Sequence, residues 1–253
     1  MTLSGFICVR NAFDLDYCFT ESIRSLLDVC NEVCVCDSDS TDDTKRYLDQ
    51  WARQEPKLTL ANFPWTDPKG DPAWYVGWLS YARDHLKTKG GFAITLDADE
   101  ILHEHSYDLV RYAANNELVL TCHRYNFWGD ASHLIPHGEC CGHAVIRVGP
   151  QKLCFPSDYP DPRCEEMMRL AKPSNVQIMH YGFLRERSAF FRKARAVQRI
   201  WANSYDKRLD DADKAGGNWM ANPNVVPWTK DLLPFTGSHP AVIIPWLQKR
   251  GWL

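Results

Sequence analysis

Asp97-Ala98-Asp99-Glu100 is the segment of this chain best suited to do chemistry. Two carboxylates separated by one residue can hold a hard divalent cation, directly and through water, and such a cation neutralises a diphosphate. The segment follows Phe92-Ala93-Ile94-Thr95-Leu96, an apolar run that reads as a buried strand. The carboxylates therefore lie at the edge of a core, where electrostatic interactions are stronger than on a solvated loop.

The preceding elements can position that segment. Leu3 to Val9 reads as a buried strand, and Leu15, Phe19, Ile23, Leu26, Leu27 and Cys30 recur at helical spacing. Glu32 to Cys36 is a second strand, with Cys34 and Cys36 on one face. The polar run Asp37 to Thr44 suits a loop and helix cap, and a helix is expected from about Asp42 to Gln54. Lys57 to Ala61 is a third strand, followed by a proline-punctuated loop, a helix over about Ala73 to Lys87, and the strand ending at Leu96. This alternation predicts right-handed crossovers and a parallel sheet. Ligands of such sheets bind at the carboxyl ends of the strands, so Arg10-Asn11, Asp37 to Asp39 and Asp97 to Glu100 should share one crevice.

The second half is less regular. Leu118 to Phe127, Ala144 to Val148 and Val176 to Met179 read as strands of a mixed, partly antiparallel region, and Ser188 to Tyr205 as an amphipathic basic helix. From Lys207 the chain is rich in Pro, Gly, Trp and Asn. We expect one domain over 1–253, with a nucleotide-binding half (1–105), an acceptor-side and metal-completing half (106–205) and a C-terminal extension (206–253).

Three stretches resemble a known pattern in order and spacing: Cys8-Val9-Arg10-Asn11-Ala12, then Val33 through Thr44, then Ile94 through Glu100. Together they resemble glycosyltransferase family 2, closely over about the first 105 residues and loosely beyond. The resemblance implies an α/β GT-A fold: a Rossmann-like, mostly parallel sheet flanked by helices, with a smaller antiparallel portion on the acceptor side. It further implies a metal-dependent, inverting transferase that moves a sugar from a nucleotide-sugar donor, a UDP-sugar foremost, to an acceptor hydroxyl. By it, Asp37 contacts the base, Val9 and Arg10 line the same pocket with Asn11 and Asp39 nearby, and Asp97, Ala98 and Asp99 form the Mn²⁺ or Mg²⁺ and diphosphate motif. Arg83 matches a position from which an arginine faces the donor.

Other candidates come from position. Lys69 lies on the loop before the third helix, where a cation could reach a diphosphate, with a solvated lysine as the alternative. His180, directly after a strand, is the third metal-ligand candidate or a phosphate contact, with a structural histidine as the alternative. Lys193 and Arg195 could neutralise a leaving diphosphate. The base that deprotonates the acceptor is sought among Asp158, Asp161, Glu165 and Glu166, between which the sequence does not choose. His137, Cys140, Cys141 and His143 include zinc-type ligands, but adjacent cysteines do not match a structural zinc site. Trp65, Trp74, Trp78 and Trp128 could stack on sugars or pack the core.

Composition narrows the class. A net charge of −3 and a pI of about 6.3 give no overall attraction to nucleic acid or anionic membrane. The basic stretch Arg185, Arg187, Arg192, Lys193, Arg195 and Arg199 still keeps a polyanionic acceptor, nucleic acid included, among the options beside glycan, lipid-linked and protein acceptors. No export signal or membrane-length apolar run is visible, so the expected location is cytoplasmic or peripheral at the inner face of a membrane, with the ten cysteines as thiols. Two rival readings are a sugar-phosphate nucleotidyltransferase and a silent glycan-binding module. The first would want a glycine-rich loop after strand one, where Arg10-Asn11-Ala12-Phe13 has none.

Overall fold

A computed structural model describes residues 1–136, 145–152, 169–200, 211, 213–214 and 231–253. The zinc-type segment 137–143 and the four candidate bases Asp158, Asp161, Glu165 and Glu166 lie outside them.

The first half alternates as its periodicity dictates: β1 (Leu3–Val9), α1 (Phe19–Val29), β2 (Glu32–Asp37), α2 (Thr44–Ala52), β3 (Leu58–Asn62), α3 (Pro72–Asp84) and β4 (Phe92–Leu96). Every residue of β1, β2 and β4 is buried, as expected of strands covered on both faces. Asp71 caps α3 by accepting from Ala73 N at 2.9 Å, with Pro72 in the first turn where its missing N–H costs nothing.

The second half holds β5 (Glu100–Leu102), α4 (Tyr107–Asn115), β6 (Leu120–Asn126), β7 (His133–Leu134), β8 (Val145–Pro150), β9 (Lys172–His180), α5 (Arg187–Ile200), β10 (Leu233–Pro234) and α6 (Ile244–Lys249). The short β5 and α4 are absent from the sequence reading.

Eight described strands form one sheet in the order β3-β2-β1-β4-β8-β6-β9-β5, and β7 pairs with β10 in a small antiparallel ribbon. Strands β3, β2, β1 and β4 are mutually parallel. Strand β8 runs antiparallel to both β4 and β6, β9 is parallel to β6, and β5 is antiparallel to β9. The expected parallel half joined to a mixed half is therefore present in one continuous sheet.

Cys8, Cys34 and Cys36 pack with Phe6, Trp78 and Leu79 on one face, and the six described cysteines are buried free thiols. Ile243 and Leu247 near the chain end enter a third apolar cluster with Cys18, Ile101, Phe127 and Tyr181. That packing ties residues 241–247 to the strands that carry the site. Among the described residues, no helix is long and apolar enough to cross a membrane.

Candidate active site

Three loops meet at the carboxyl edge of the parallel strands. Arg10, just past β1, donates through Nη1 to the carbonyls of Ser38 (2.6 Å) and Asp39 (2.8 Å), just past β2. Asn11 Oδ1 accepts from Thr41 N at 2.7 Å, and Asn11 N donates to Ser40 Oγ at 2.8 Å. Asp37 Oδ2 accepts from Ser40 N at 2.9 Å, which turns the chain immediately after β2. Asn11, Asp16, Asp39 and Lys69, four of the five described non-glycine residues with positive φ, lie on loops at this edge. Asn and Asp tolerate that left-handed geometry because their short polar side chains bond locally.

Past β4 the chain reverses tightly: Glu100 N donates to Asp97 O, and Asp97 N donates to Glu100 Oε2, both at 2.9 Å. This reversal parts the two aspartates. Asp97 stays near the central strands, where its Oδ2 meets Arg147 Nη2 of β8 at 3.1 Å and Arg124 Nη2 of β6 at 3.6 Å. Its Oδ1 accepts from Tyr75 Oη of α3 at 2.8 Å. Asp99 instead faces the end of β9: Arg185 Nη2 and Lys193 Nζ reach its Oδ2 at 2.9 and 2.5 Å, and His180 Nε2 lies 3.5 Å from its Oδ1. Glu100, wholly buried, binds Arg124 Nε at 2.8 Å and Arg147 Nη2 at 2.9 Å. Asp97 keeps 30% of its side chain exposed against 4% for Asp99 and none for Glu100, so it is the most accessible of the three acids.

The charges are balanced by these neighbours. Burial opposes ionisation of Asp97 and Asp99. Arg147 and Arg124 nevertheless hold Asp97 below the usual carboxylate range, and Lys193 and Arg185 hold Asp99 well below it. Burial pushes Glu100 up despite its two arginines. Burial, with Arg124 nearby, lowers His180 to about 4, so its imidazole is neutral at pH 7. Three carboxylates (Asp97, Asp99, Glu100) thus face four cations (Arg124, Arg147, Arg185, Lys193), an arrangement with an excess of one positive charge and suited to an anionic ligand.

A divalent ion fits one part of this arrangement. His180 Nδ1 lies 2.7 Å from Asn126 Oδ1; with Asn126 in that orientation the proton sits on Nδ1, and the Nε2 lone pair is turned to the Asp99 carboxylate. Two acceptors facing each other at 3.5 Å favour a cation between them. Gly182 lets both side chains close against its backbone, since a Cβ there would lie 2.2 Å from His180 Nε2 and 2.9 Å from Lys193 Nζ. The expected three-ligand set is not assembled, however. Among the described residues no three His, Cys, Asp or Glu side chains are grouped to hold a metal, because the reversal after β4 sends Asp97 to the arginines of β6 and β8 and only Asp99 to His180.

Arg83 also departs from expectation. Tyr75, in the first turn of α3, touches Asp97 at the carboxyl end of β4, whereas Lys87 N, just past α3, donates to Glu32 at the start of β2. The helix therefore runs from the site edge to the opposite edge. Arg83, eight residues beyond Tyr75 and about 12 Å along the axis, pairs with Asp84 away from the donor side. Lys69 is exposed on its loop, which is tied to α5 by Gly70 N donating to Arg199 O at 2.7 Å. Arg195 binds Asp213 at 2.5 Å, and Arg192 donates to Asp14 O.

Sequence reasoning missed Tyr75, Arg124, Asn126 and Arg147. Arg124 and Asn126 left a signal, standing in phase with Leu120 and Cys122 on the buried face of β6. Arg147 left none, because Arg147, Val148 and Gly149 are buried in succession and no alternation marks the arginine.

The family model of glycosyl transferase family 2 matches residues 6–190. The chain belongs to glycosyl transferase family 2. Its sheet, parallel in the first half and mixed in the second, has the make-up that the family resemblance implied. No curated protein matches significantly. Among solved structures, S. aureus TarS 1–349 is 15% identical over 71% of this chain and 60% of its own, with a TM-score of 0.47. The mannosyltransferase PcManGT from Pyrobaculum calidifontis, in complex with GDP-Man and Mn²⁺, is 16% identical over 90% of this chain and 69% of its own, at 0.48. GalNAc-T7 with UDP, GalNAc and Mn²⁺ is 12% identical over 90% and 54%, at 0.46. This chain thus covers less than two thirds of the length of TarS 1–349.

Proposed function

We propose that this chain transfers a sugar from a nucleotide-sugar donor to an acceptor hydroxyl with inversion, assisted by a divalent cation. One observation carries the reading. Arg10, Asn11 and Asp37, at the ends of β1 and β2, share one sheet edge with the cluster of Asp97, Asp99 and His180, whose cations outnumber its carboxylates by one. A nucleoside diphosphate has the matching layout, a neutral flat base at one end and a dianionic leaving group at the other.

In this reading Asp37 and Arg10 hold the nucleoside, and Asp97, fixed by Tyr75 and Arg147, fronts the donor. Asp99 Oδ1 and His180 Nε2 would hold Mn²⁺ or Mg²⁺, with water and the donor completing the shell. When bound, that ion neutralises charge on the leaving diphosphate. Arg185 and Lys193 supply fixed positive charge at the same place, preorganised by burial. The acceptor hydroxyl then attacks the anomeric carbon opposite the departing diphosphate and gives its proton to a carboxylate, for which Asp158, Asp161, Glu165 and Glu166 stay the candidates.

The test is release of nucleoside diphosphate from a panel of UDP-, GDP-, CDP- and ADP-sugars with and without Mn²⁺. Asp99→Asn should lower turnover by about 10²-fold or more, the loss typical of removing one electrostatic element at a reacting centre. If no donor is turned over and none protects the chain against heat with Mn²⁺ present, the proposal is wrong.

A further inference from the structure

The acidic cluster accounts for the diphosphate end of the crevice but leaves Trp65 unexplained. Trp78 and Trp128 are buried core residues, and Trp74 packs against the cluster built on Phe6 and Trp78. Trp65 belongs to none of the three apolar clusters and is only half-buried. Packing of the interior therefore does not require an indole at that position.

Its surroundings nevertheless hold it in place. Asp39, two residues past the end of β2, accepts from Trp65 N at 2.8 Å and from Asn62 Nδ2 at 2.9 Å. It does so with φ at +46°, a conformation that costs free energy unless neighbouring contacts impose it. Trp74 meets the Trp65 ring edge-on at 4.9 Å, and Gly70 N to Arg199 O pins the far end of the same loop to α5. On the ring itself lies the Arg10 guanidinium, 4.0 Å from the centroid. Arg10 Nη1 donates to Ser38 O and Asp39 O, which holds the guanidinium in place over the ring. A rigid, half-exposed indole paired with a flat cation at the ends of β1 and β2 is a surface for a flat π system.

We propose that Trp65, oriented by the positioning residue Asp39, is the stacking platform for the nucleobase of the donor, beside Arg10. The proposal rests on the nucleotide-sugar reading and adds to it the group that grips the base. Stacking accepts any base because each has a π face, so Trp65 supplies affinity for the nucleoside as a class and leaves the choice of base to edge-reading groups such as Asp37.

Calorimetric binding with Mn²⁺ present tests this, using UDP, GDP, CDP and ADP, and inorganic pyrophosphate as a probe without a base. Trp65→Ala should weaken the tightest-binding nucleoside diphosphate by about tenfold or more, while pyrophosphate binding stays unchanged. Trp65→Phe should retain most of the affinity. Asp39→Ala should follow Trp65→Ala, and Asp39→Asn, which keeps an acceptor and tolerates the left-handed φ, should recover part of the loss. Should the alanine variant not fold, Trp65→Leu against Trp65→Phe makes the same comparison, since only Phe restores a π face. Unchanged nucleotide affinity in Trp65→Ala, or equal loss of nucleotide and pyrophosphate, overturns the platform alone. Failure of the unaltered protein to bind any of the four nucleotides overturns the transferase reading and the platform with it.

Discussion

Arg147→Met isolates the ionic floor of the site. Arg147 has 1% of its surface exposed and bridges Asp97 Oδ2 at 3.1 Å and Glu100 Oε1 at 2.9 Å. Methionine approximates its stem, so the perturbation is chiefly the loss of the guanidinium. Removing one partner of a buried pair costs about 3–5 kcal/mol, because the remaining charge stays buried with less compensation. Here Arg124 still reaches Glu100 at 2.8 Å, which favours the lower part of that range. At about 2–4 °C per kcal/mol for a chain of this size, the melting temperature should fall by roughly 6–12 °C. The sign with pH follows from Glu100. Burial already raises its pKa above 4.5 against the pull of Arg147 and Arg124, and losing Arg147 raises it further. A carboxyl whose folded pKa exceeds its unfolded one contributes most below the unfolded value and loses that contribution as pH rises through the folded value. The deficit of Arg147→Met relative to the unaltered protein should therefore be largest at neutral pH and shrink toward pH 5. Thermal and urea unfolding at pH 5, 6 and 7, repeated on Glu100→Gln and the double variant, read this directly. The double variant should lose about 1–3 kcal/mol less than the two single losses added together. Strict additivity, or a deficit that grows on acidification, would refute the argument.

Gly182→Ala should shift His180 and Lys193, because the new Cβ would fall 2.2 Å from one and 2.9 Å from the other; Mn²⁺ affinity measured by electron paramagnetic resonance should drop by about tenfold or more, and an unchanged affinity would remove His180 from the ion site. Burial lowers Lys193 to about 8, so its charge beside Asp99 is lost above that pH and nucleoside diphosphate affinity should decline between pH 7 and 9. Stability should respond with the opposite sign from this group. Between about 8 and 10.5 the unfolded chain holds a proton the folded chain has shed, so the Lys193 contribution to folding rises with pH. Nucleotide affinity in Lys193→Met that is as pH-dependent as in the unaltered protein would contradict the assignment.

Much of this molecule was legible in local spacing. Runs such as Phe6-Ile7-Cys8-Val9 and Phe92-Ala93-Ile94-Thr95-Leu96 are too apolar and too short to be anything but buried strands, and the helical repeat from Phe19 to Leu27 separates the first two strands. Parallel order follows from such alternation, and so does the meeting of Arg10, Asp37 and Asp97 at one edge. The three-residue β5 was hidden because it carries too little period to be seen, yet it fixes the reversal that separates Asp97 from Asp99.

By itself, then, the sequence determined the family, the parallel half of the sheet and which acids reach its carboxyl edge. Tertiary structure alone decided which cation answers which acid. Arg147 lies 50 residues from Asp97, while Arg185 and Lys193 lie 86 and 94 from Asp99. They meet because β8 adds beside β4 and β9 delivers His180 opposite Glu100. Strand order across a sheet is set by packing of whole faces and closure of long loops, to which a period of two or 3.6 residues carries no address.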